Sequence, residues 1–356
     1  MTVRLPDFPW DTLAPVAARA REHPDGIVDL SVGTPVDPTP HVVQEALRAA
    51  ANAPGYPTTI GLPELGDACR GWLGRSLGVT SPVGVLPTIG SKEMVAWLPT
   101  GLGVGASDTV VIPEVAYPTY SVGAIVAGAQ VVATDDVESI DAPAMVWLNS
   151  PSNPTGSVLD VERLSAIVSW ARDKNVVVVS DECYIELGWD ATPISILDPR
   201  VNGGNVSNVL ALHSLSKRSS MAGYRFGFLA GDEGIVSRLL GVRKHLGMMV
   251  PTPVQHAAIA AYNDDEHVAE QRDRYARRRA ALKTVLEATG FSIDHSAAGL
   301  YLWATRGQDS WATAEWFAER GILVAPGAFY GDDTHVRVAL TATDERVNAA
   351  ISRLSE

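Results

Sequence analysis

Six apolar runs between residues 108 and 231 form the clearest pattern in the chain. They are short, several are rich in valine, and they lack polar alternation, which predicts strands buried on both faces. The runs are DTVVIPE, AQVVATD, AMVWLNS, NVVVVSDEC, NVLALHSLS and RFGFLAG. Helical patterns separate them, as at residues 160–173, where Asp160 is a candidate N-cap and Leu164, Ile167 and Val168 share one face. This β-α-β order predicts an α/β fold with a mainly parallel sheet, and a ligand site at the carboxyl ends of its strands.

The pattern changes after residue 241. A long charged helix is predicted over 266–290, followed by short strands at 299–303 and 335–340. We therefore expect a large cofactor-binding domain over 41–240 and a smaller α+β domain over 241–356, with residues 1–40 packing as an N-terminal segment against the small domain. The basic run Arg277 to Arg279 is interpreted as a solvated helix face because acidic residues surround it.

Composition and charge narrow the class of protein. The 356 residues carry 28 Lys and Arg against 41 Asp and Glu, a net charge of -13, which argues against nucleic acid or an anionic membrane as the main partner. Residues 115–134 are long enough to span a bilayer but are poorly apolar, so we interpret them as buried in the protein. Two cysteines in unrelated contexts and an N-terminus without an apolar stretch indicate a cytoplasmic protein.

Common catalytic motifs of other enzyme classes do not fit this chain. Residues 101–106 match GxGxxA, but the match follows a helical pattern and precedes a strand, the reverse of a dinucleotide-binding site. No serine lies in GxSxG and no histidines form HExxH, so the sequence argues against the corresponding hydrolases and against a metal site.

Polar residues follow the predicted strands at one edge of the sheet. Asp181 ends one strand, Ser214 and Lys217 follow another, and Asn153 follows a third. Residues 90–92 open a helix, whose free N–H groups and dipole suit a phosphate. Among the five lysines, Lys217 alone directly follows a buried strand, and desolvation beside Arg218 or Arg225 would lower its pKa and make it a better nucleophile toward an aldehyde.

From about residue 30 onward, these motifs resemble the class I and II aminotransferases of fold type I, which use pyridoxal 5'-phosphate. The most specific match is SxSK followed eight positions later by arginine, here Lys217 and Arg225. The resemblance implies that Lys217 links covalently to the cofactor and then carries the proton between Cα and the cofactor C4′. Asp181 would face the pyridine nitrogen and keep the ring protonated. Asn153 and Tyr184 would bond the phenolic oxygen.

The same resemblance assigns the remaining cofactor contacts. Tyr117 would stack on the pyridine ring. Tyr56 would reach the phosphate of a neighbouring subunit, so that the active unit is a homodimer with shared sites. The phosphate would be held by Ser214, by Arg225 and by the backbone of Gly90, Ser91 and Lys92.

Substrate binding is assigned in the same way. Arg337 in HVRVAL would bind the α-carboxylate through its planar fork, and Gly33 would let the backbone approach that group. Asn153 would also lie against the substrate, which is a small amino acid or 2-oxo acid.

Other interpretations of single residues remain open at this point. Asp181 also suits a helix N-cap, Tyr117 a core aromatic, and Arg225 a partner for a surface acid. Asn153 lies in N-P-T-G, which is strong turn chemistry and compatible with a binding role.

Within the family, the segments HSLSKRSSMAGYRFGFLAGD and LSVGTPVDPTP resemble the actinobacterial N-succinyldiaminopimelate aminotransferases of lysine biosynthesis. Such a long, anionic substrate needs a cation beyond Arg337, and the candidates are Lys92, Arg218, Arg243 and Lys244. Alternatives are an aminotransferase for aspartate or aromatic amino acids, a cofactor-dependent β-lyase, and a non-catalytic regulatory module on the same fold.

Overall fold

The structure, a computed structural model, describes residues 4–356. Its helices are α1 (Pro9–Thr12), α2 (Ala14–Arg21), α3 (His41–Ala49), α4 (Pro63–Leu77), α5 (Ser91–Gly101), α6 (Thr119–Ala127), α7 (Val161–Lys174), α8 (Pro199–Asn202), α9 (Leu215–Arg218), α10 (Glu233–Leu246), α11 (Thr252–Tyr262), α12 (Glu266–Ala288), α13 (Ser310–Ala318) and α14 (Asp344–Ser355). Its strands are β1 (Val28–Asp29), β2 (Gly84–Thr88), β3 (Thr109–Ile112), β4 (Gln130–Ala133), β5 (Met145–Asn149), β6 (Val177–Asp181), β7 (Val209–Ser214), β8 (Gly227–Gly231), β9 (Ser292–Asp294), β10 (Tyr301–Thr305), β11 (Ile322–Leu323), β12 (Ala325–Pro326) and β13 (His335–Ala339). Short 3-10 helices cover Val137–Ser139, Ala222–Tyr224 and Gly327–Tyr330.

A seven-stranded sheet in the order β2-β8-β7-β6-β5-β3-β4 forms the centre of the molecule. Neighbouring strands from β7 to β4 run parallel, whereas β8 runs antiparallel to both β2 and β7. All six apolar runs form strands of this sheet, so the predicted α/β fold with a mainly parallel sheet is confirmed. Strand β2 was not predicted. It carries Pro87 and lies at the sheet edge, where a missing N–H is tolerated.

Helices cover both faces of this sheet. Along β6, the consecutive residues Val178 and Val179 are both buried, each in a different core cluster, which explains the absence of polar alternation. Helix α7 begins where predicted. The Asp160 carboxylate accepts a hydrogen bond from the Arg163 backbone N–H at 2.7 Å, so the predicted N-cap is confirmed.

The C-terminal part of the chain forms a second, antiparallel sheet in the order β12-β13-β10-β9. Its apolar face packs in one cluster with Leu13 and Leu30 from the N-terminal segment, and β1 pairs with β11. Residues of the N-terminal segment thus lie against the antiparallel sheet, and the domain boundaries at residues 40 and 240 stay a prediction.

The arginine run on α12 corrects one expectation. Arg278 is not a solvated side chain: it is buried and donates to Asp37 at 2.7 and 2.8 Å and to Asp344 at 2.6 Å. Arg279 pairs with Asp190. The acidic partners of these arginines are distant in the sequence, so tertiary packing decides which face of α12 is buried. Through Arg278, α12 contacts both the N-terminal segment and α14.

The stretch over 115–134 divides into α6 and β4. Across residues 4–356, no helix combines the length and the apolar character that crossing a membrane requires. The GxGxxA match starts at the end of α5 and precedes β3, as the sequence order predicted.

Candidate active site

A cavity of about 460 Å³ lies where β5, β6 and β7 end, beside the first turn of α5 and under residues of β10 and β13. Most predicted site residues line it: Gly33, Ser91, Lys92, Tyr117, Asn153, Asp181, Tyr184, Ser214, Lys217, Arg225 and Arg337. Gly90 adjoins this set at the start of α5. Tyr56 does not line the cavity and is 96% exposed in the single chain.

Lys217 lies in the short helix α9, directly after β7. Burial lowers the pKa of its amine, and the positive charges of Arg337 and Arg225 lower it further, against opposing effects of Tyr301 and Cys183. Arg218 does not contribute as expected, because it turns away and pairs with Glu186. In the described part of the chain, no carboxylate pairs with Lys217, so its amine is disposed to be neutral and nucleophilic.

Asp181 closes β6 with its carboxylate buried beside the cavity. The Tyr120 hydroxyl donates to it at 3.0 Å, and the Cys183 backbone N–H donates at 3.2 Å. Burial raises the pKa of this carboxyl, and within residues 4–356 no cation pairs with it. The residues that follow form turns rather than a helix, so the N-cap alternative is wrong. A cationic group of the ligand would supply the missing countercharge.

An anion cradle forms at the start of α5. Gly90 has φ +74° and leaves space for the Arg225 guanidinium, which a methyl group at this position would overlap. The Ser214 hydroxyl accepts from the Ser216 N–H at 3.1 Å and donates to the Ser216 hydroxyl at 2.9 Å. Arg225 is exposed at the rim and pairs with no acid among the described residues, so the surface-pair alternative is wrong. The Arg225 guanidinium donates to the Ala222 carbonyl at 2.8 Å, so a neutral group alone orients it. The helix dipole, the hydroxyls and this guanidinium together suit a phosphate.

Arg337 on β13 is buried on the opposite side of the cavity. It donates to the Asn153 side-chain oxygen at 2.8 Å and to the Ser31 carbonyl at 2.6 Å, while its Nε has no partner in the described structure. Its guanidinium carbon lies 4.0 Å from the Tyr301 ring centroid. Since neutral groups alone orient this cation, it keeps a full positive charge for a carboxylate. Asn153 lies in a turn, as its sequence context predicted.

Aromatic side chains complete the walls. Tyr117 lines the cavity and packs edge-on against Tyr120, with ring centroids 5.8 Å apart. Burial raises the pKa of Tyr117 to about 12, so its phenol stays neutral. Tyr117 packs against Tyr120 and also lines the cavity, so the two interpretations of this residue, a core aromatic and a ring that stacks on a ligand, are compatible.

Sequence reasoning missed several lining residues, namely Phe8, Trp10, Tyr120, Cys183, Ser216 and Tyr301. For Tyr120 a signal existed, because it lies in the first turn of α6, only three residues after the predicted site residue Tyr117, which precedes the helix. For Phe8, Trp10 and Tyr301 no such signal exists, since their approach to the cavity depends on the long-range packing of the N- and C-terminal parts.

The sequence profile described as "Aminotransferase class I and II" matches residues 25–354. This chain belongs to that family. The aminotransferase is 58% identical over 361 residues to the protein named "Probable aminotransferase Rv1178" of Mycobacterium tuberculosis, covering 100% of this chain and 86% of the relative. It is 55% identical over 356 residues to "4-dedimethylamino-4-oxo-anhydrotetracycline transaminase OxyQ" of Streptomyces rimosus, covering 99% of both chains.

Solved structures give the same result for the fold. An aminotransferase from Neisseria meningitidis superposes with a TM-score of 0.90 at 31% identity, covering 99% of this chain and 98% of the other. The aminotransferase therefore has the fold-type I architecture, and its cofactor is pyridoxal 5'-phosphate, on which the family depends.

The residues present fit that cofactor. Its phosphate suits the cradle at the start of α5, and its ring nitrogen suits the buried, uncompensated carboxylate of Asp181. Its aldehyde suits the Lys217 amine, whose pKa is lowered by burial. The three groups lie at the start of α5, at the end of β6 and in α9 directly after β7, and all of them line one cavity.

Proposed function

We propose that this aminotransferase transfers an amino group between the pair glutamate and 2-oxoglutarate and the pair N-succinyl-2-amino-6-oxopimelate and N-succinyl-LL-2,6-diaminopimelate, a step of lysine biosynthesis. The observation that carries this substrate proposal is the position of Lys92, a lysine at the cavity with which no carboxylate among residues 4–356 pairs. It supplements the resemblance of the Lys217 segment and of the N-terminal motif.

Lys92 is the one of the four candidate cations that lines the cavity, as far as residues 4–356 show. Arg218 pairs with Glu186, and Arg243 is buried and bonds Glu93 at 2.7 Å. Lys244 is exposed on α10 and does not line the cavity. The Lys92 amine lies 5.2 Å from the Phe8 ring centroid, and no acid among the described residues pairs with it. A substrate with a second anionic end would use this cation.

The chemistry follows from the side chains around the cofactor. When bound, pyridoxal 5'-phosphate supplies an aldehyde that links to amines and a protonated ring that accepts electrons from Cα. Asp181 would hold the proton on the ring nitrogen, because a buried carboxylate gains most from a cationic neighbour. Arg337 would fix the α-carboxylate of the substrate, and Lys217 Nζ would carry the proton between Cα and the cofactor. The phosphate would be held by Ser214, by Arg225 and by the backbone of Gly90, Ser91 and Lys92, which leaves the Lys92 amine free for the substrate. Tyr117, Asn153 and Tyr184 would contact the ring.

Lys92→Met tests the substrate proposal. We expect KM for N-succinyl-LL-2,6-diaminopimelate to rise about tenfold, the loss expected for one hydrogen bond to a charged group. KM for alanine, which has no second anionic group, should change little. Lys244→Met is the matched control, and it should leave both constants unchanged. Equal losses for both amino acids, or no turnover of the diaminopimelate derivative by the unmodified enzyme, would refute the proposal.

A second candidate substrate is a polycyclic aromatic ketone. The likeness to OxyQ favours it, as does the aromatic lining formed by Phe8, Trp10, Tyr117 and Tyr301. Steady-state kinetics with succinyldiaminopimelate, aspartate and phenylalanine, together with an aromatic ketone as amino acceptor, separate the candidates by kcat/KM. Release of pyruvate and ammonia from cystathionine would instead indicate a β-lyase.

We further propose that the enzyme is a cytoplasmic homodimer. Family resemblance supports it, and so does Tyr56, which is almost fully exposed in the single chain although the resemblance assigns it a cofactor contact. Such a side chain reaches a cofactor only in a neighbouring subunit.

A further inference from the structure

Tyr301 connects the two sides of the cavity. It lies on β10, is 3% exposed, and lines the cavity. Its hydroxyl lies 3.1 Å from the Tyr184 hydroxyl, within hydrogen-bond distance. Its ring centroid lies 4.0 Å from the Arg337 guanidinium carbon, which is a cation–π distance. One side chain thus contacts both the tyrosine on the cofactor side and the arginine on the substrate side.

Gly33 accommodates the hydroxyl of Tyr301. A methyl group at this position would overlap the Tyr301 Oη, so the backbone of the N-terminal segment approaches the phenol closely. The sequence assigned Gly33 to close approach toward a substrate carboxylate. The structure adds a second reason for glycine there, because any larger residue would displace the hydroxyl from Tyr184.

We propose that Tyr301 is a positioning residue, whose hydroxyl donates to Tyr184 and whose ring orients Arg337. The inference rests on the proposed roles of Tyr184 and Arg337. A phenol has one hydrogen to donate. Tyr184 can therefore donate to the phenolic oxygen of the cofactor only when the Tyr301 hydroxyl donates to Tyr184. Two hydroxyls in series polarise each other and strengthen the final donation.

The hydrogen bond from Tyr301 to Tyr184 should lower the proton affinity of the Lys217 nitrogen when the cofactor is bound. A donated hydrogen bond withdraws negative charge from the phenolic oxygen of the bound cofactor, and the neighbouring Lys217 nitrogen then holds its proton less tightly. Loss of the Tyr301 hydroxyl weakens the donation, so the proton is held more tightly and the visible band titrates at a higher pH.

Tyr301→Phe tests the proposal in enzyme loaded with pyridoxal 5'-phosphate. The titration midpoint of the visible absorbance should rise by about 0.5 pH unit, the shift expected for part of one hydrogen bond. Tyr330→Phe is the matched control. Tyr330 is equally buried, its ring centroid lies 4.9 Å from Arg337, and its hydroxyl has no partner among the described residues. The midpoint of this variant should stay at the unmodified value.

Two further variants keep the result unambiguous. Gly33→Ala displaces the same hydroxyl from the other side and should raise the midpoint in the same direction. Tyr184→Phe should raise it further than Tyr301→Phe. If Tyr184→Phe shifts the midpoint but Tyr301→Phe titrates like Tyr330→Phe, this inference is wrong while the proposed function stands. If Tyr184→Phe has no effect, the role of Tyr184 fails and the inference fails with it.

Arg337 provides the second readout. Tyr301→Leu removes the ring, and KM for glutamate should rise about threefold or more, as the loss of a cation–π contact implies. Tyr301→Phe keeps the ring and should keep this KM. Equal KM values for the leucine and phenylalanine variants would overturn the assignment of the ring to Arg337.

Discussion

The pKa values of Lys217 and Asp181 are shifted in opposite directions in the same cavity. Burial lowers the pKa of the lysine amine and raises the pKa of the aspartate carboxyl, so each charged form is disfavoured in the protein alone. A ligand that is cationic at one end and carries an aldehyde at the other satisfies both. The cofactor of this family has those two ends, which explains why two poorly solvated groups are placed together.

A second buried pair lies directly behind these residues. Glu182 follows Asp181 and His213 precedes Ser214, and the Glu182 Oε2 lies 3.7 Å from His213 Nε2. Burial raises the pKa of Glu182 to about 8, whereas burial and the nearby Arg218 lower the pKa of His213 to about 3. Both shifts favour the neutral form of the group, so we expect a neutral pair rather than an ion pair.

Glu182→Gln should change the pH dependence of stability. Between pH 4.5 and 8 the unfolded carboxyl is ionised while the folded one keeps its proton, so the folded state binds more protons and its stability falls as pH rises. Relative to the glutamine variant, the natural protein should lose about 1 kcal/mol of unfolding free energy per pH unit in this window. Urea unfolding at several pH values measures the difference. Parallel curves for the two proteins would show that Glu182 is ionised in the folded state.

At the scale of elements, strand ends and helix starts hold the site together. The helix caps are independent of the cofactor, and Asp160 on α7 gives a clean test because its side chain is exposed. Asp160→Ala should reduce the free energy of unfolding by about 1 kcal/mol, since the Arg163 N–H loses its acceptor. Thermal unfolding checks this. Asp173→Ala, in the last turn of the same helix, is the control and should be neutral or slightly stabilising, because its carboxylate opposes the helix dipole.

The sequence predicted elements well wherever periodicity alone decides them. The strands β3 to β8 were found because each consists of an uninterrupted apolar run, and the central strands β5 and β6 are buried as predicted. The prediction of burial on both faces is wrong for β4, which lies at the sheet edge and is partly exposed. Strand β2 was missed because a proline such as Pro87 argues against a strand. It is tolerated here because β2 lies at the edge of the sheet. The pairing of β1 with β11 was also missed, since it joins residues 28 and 322 through tertiary packing.

Among the site residues, those at strand ends could be predicted from the sequence, whereas those brought in by long-range packing could not. Asp181, Ser214 and Lys217 were predictable because the ends of parallel strands meet at one edge. Tyr301 and Trp10 were not, because each reaches the cavity from a part of the chain far from those strands. The burial of Arg278 was missed for the same reason, as its partners Asp37 and Asp344 lie at opposite ends of the sequence.

At the scale of the whole molecule, the proposed homodimer predicts that active sites are shared. In a mixed dimer of Lys217→Ala and Tyr56→Ala chains, one site would carry both defects and the other would carry neither. Mixing the two weakly active proteins under subunit exchange should therefore restore up to half of the activity per mixed dimer. Activity that stays at the level of the parents, with mixed dimers detected by native mass spectrometry, would show that Tyr56 does not act across subunits.

The visible absorbance of the purified protein with pyridoxal 5'-phosphate tests the central claim most directly, that the Lys217 amine meets the cofactor opposite Asp181. We expect a yellow protein whose band is lost when glutamate is added and returns with 2-oxoglutarate. Lys217→Ala should fold normally and never develop that band. A natural protein that stays colourless with added cofactor, or a Lys217→Ala variant that shows the same glutamate-sensitive band, would contradict the account.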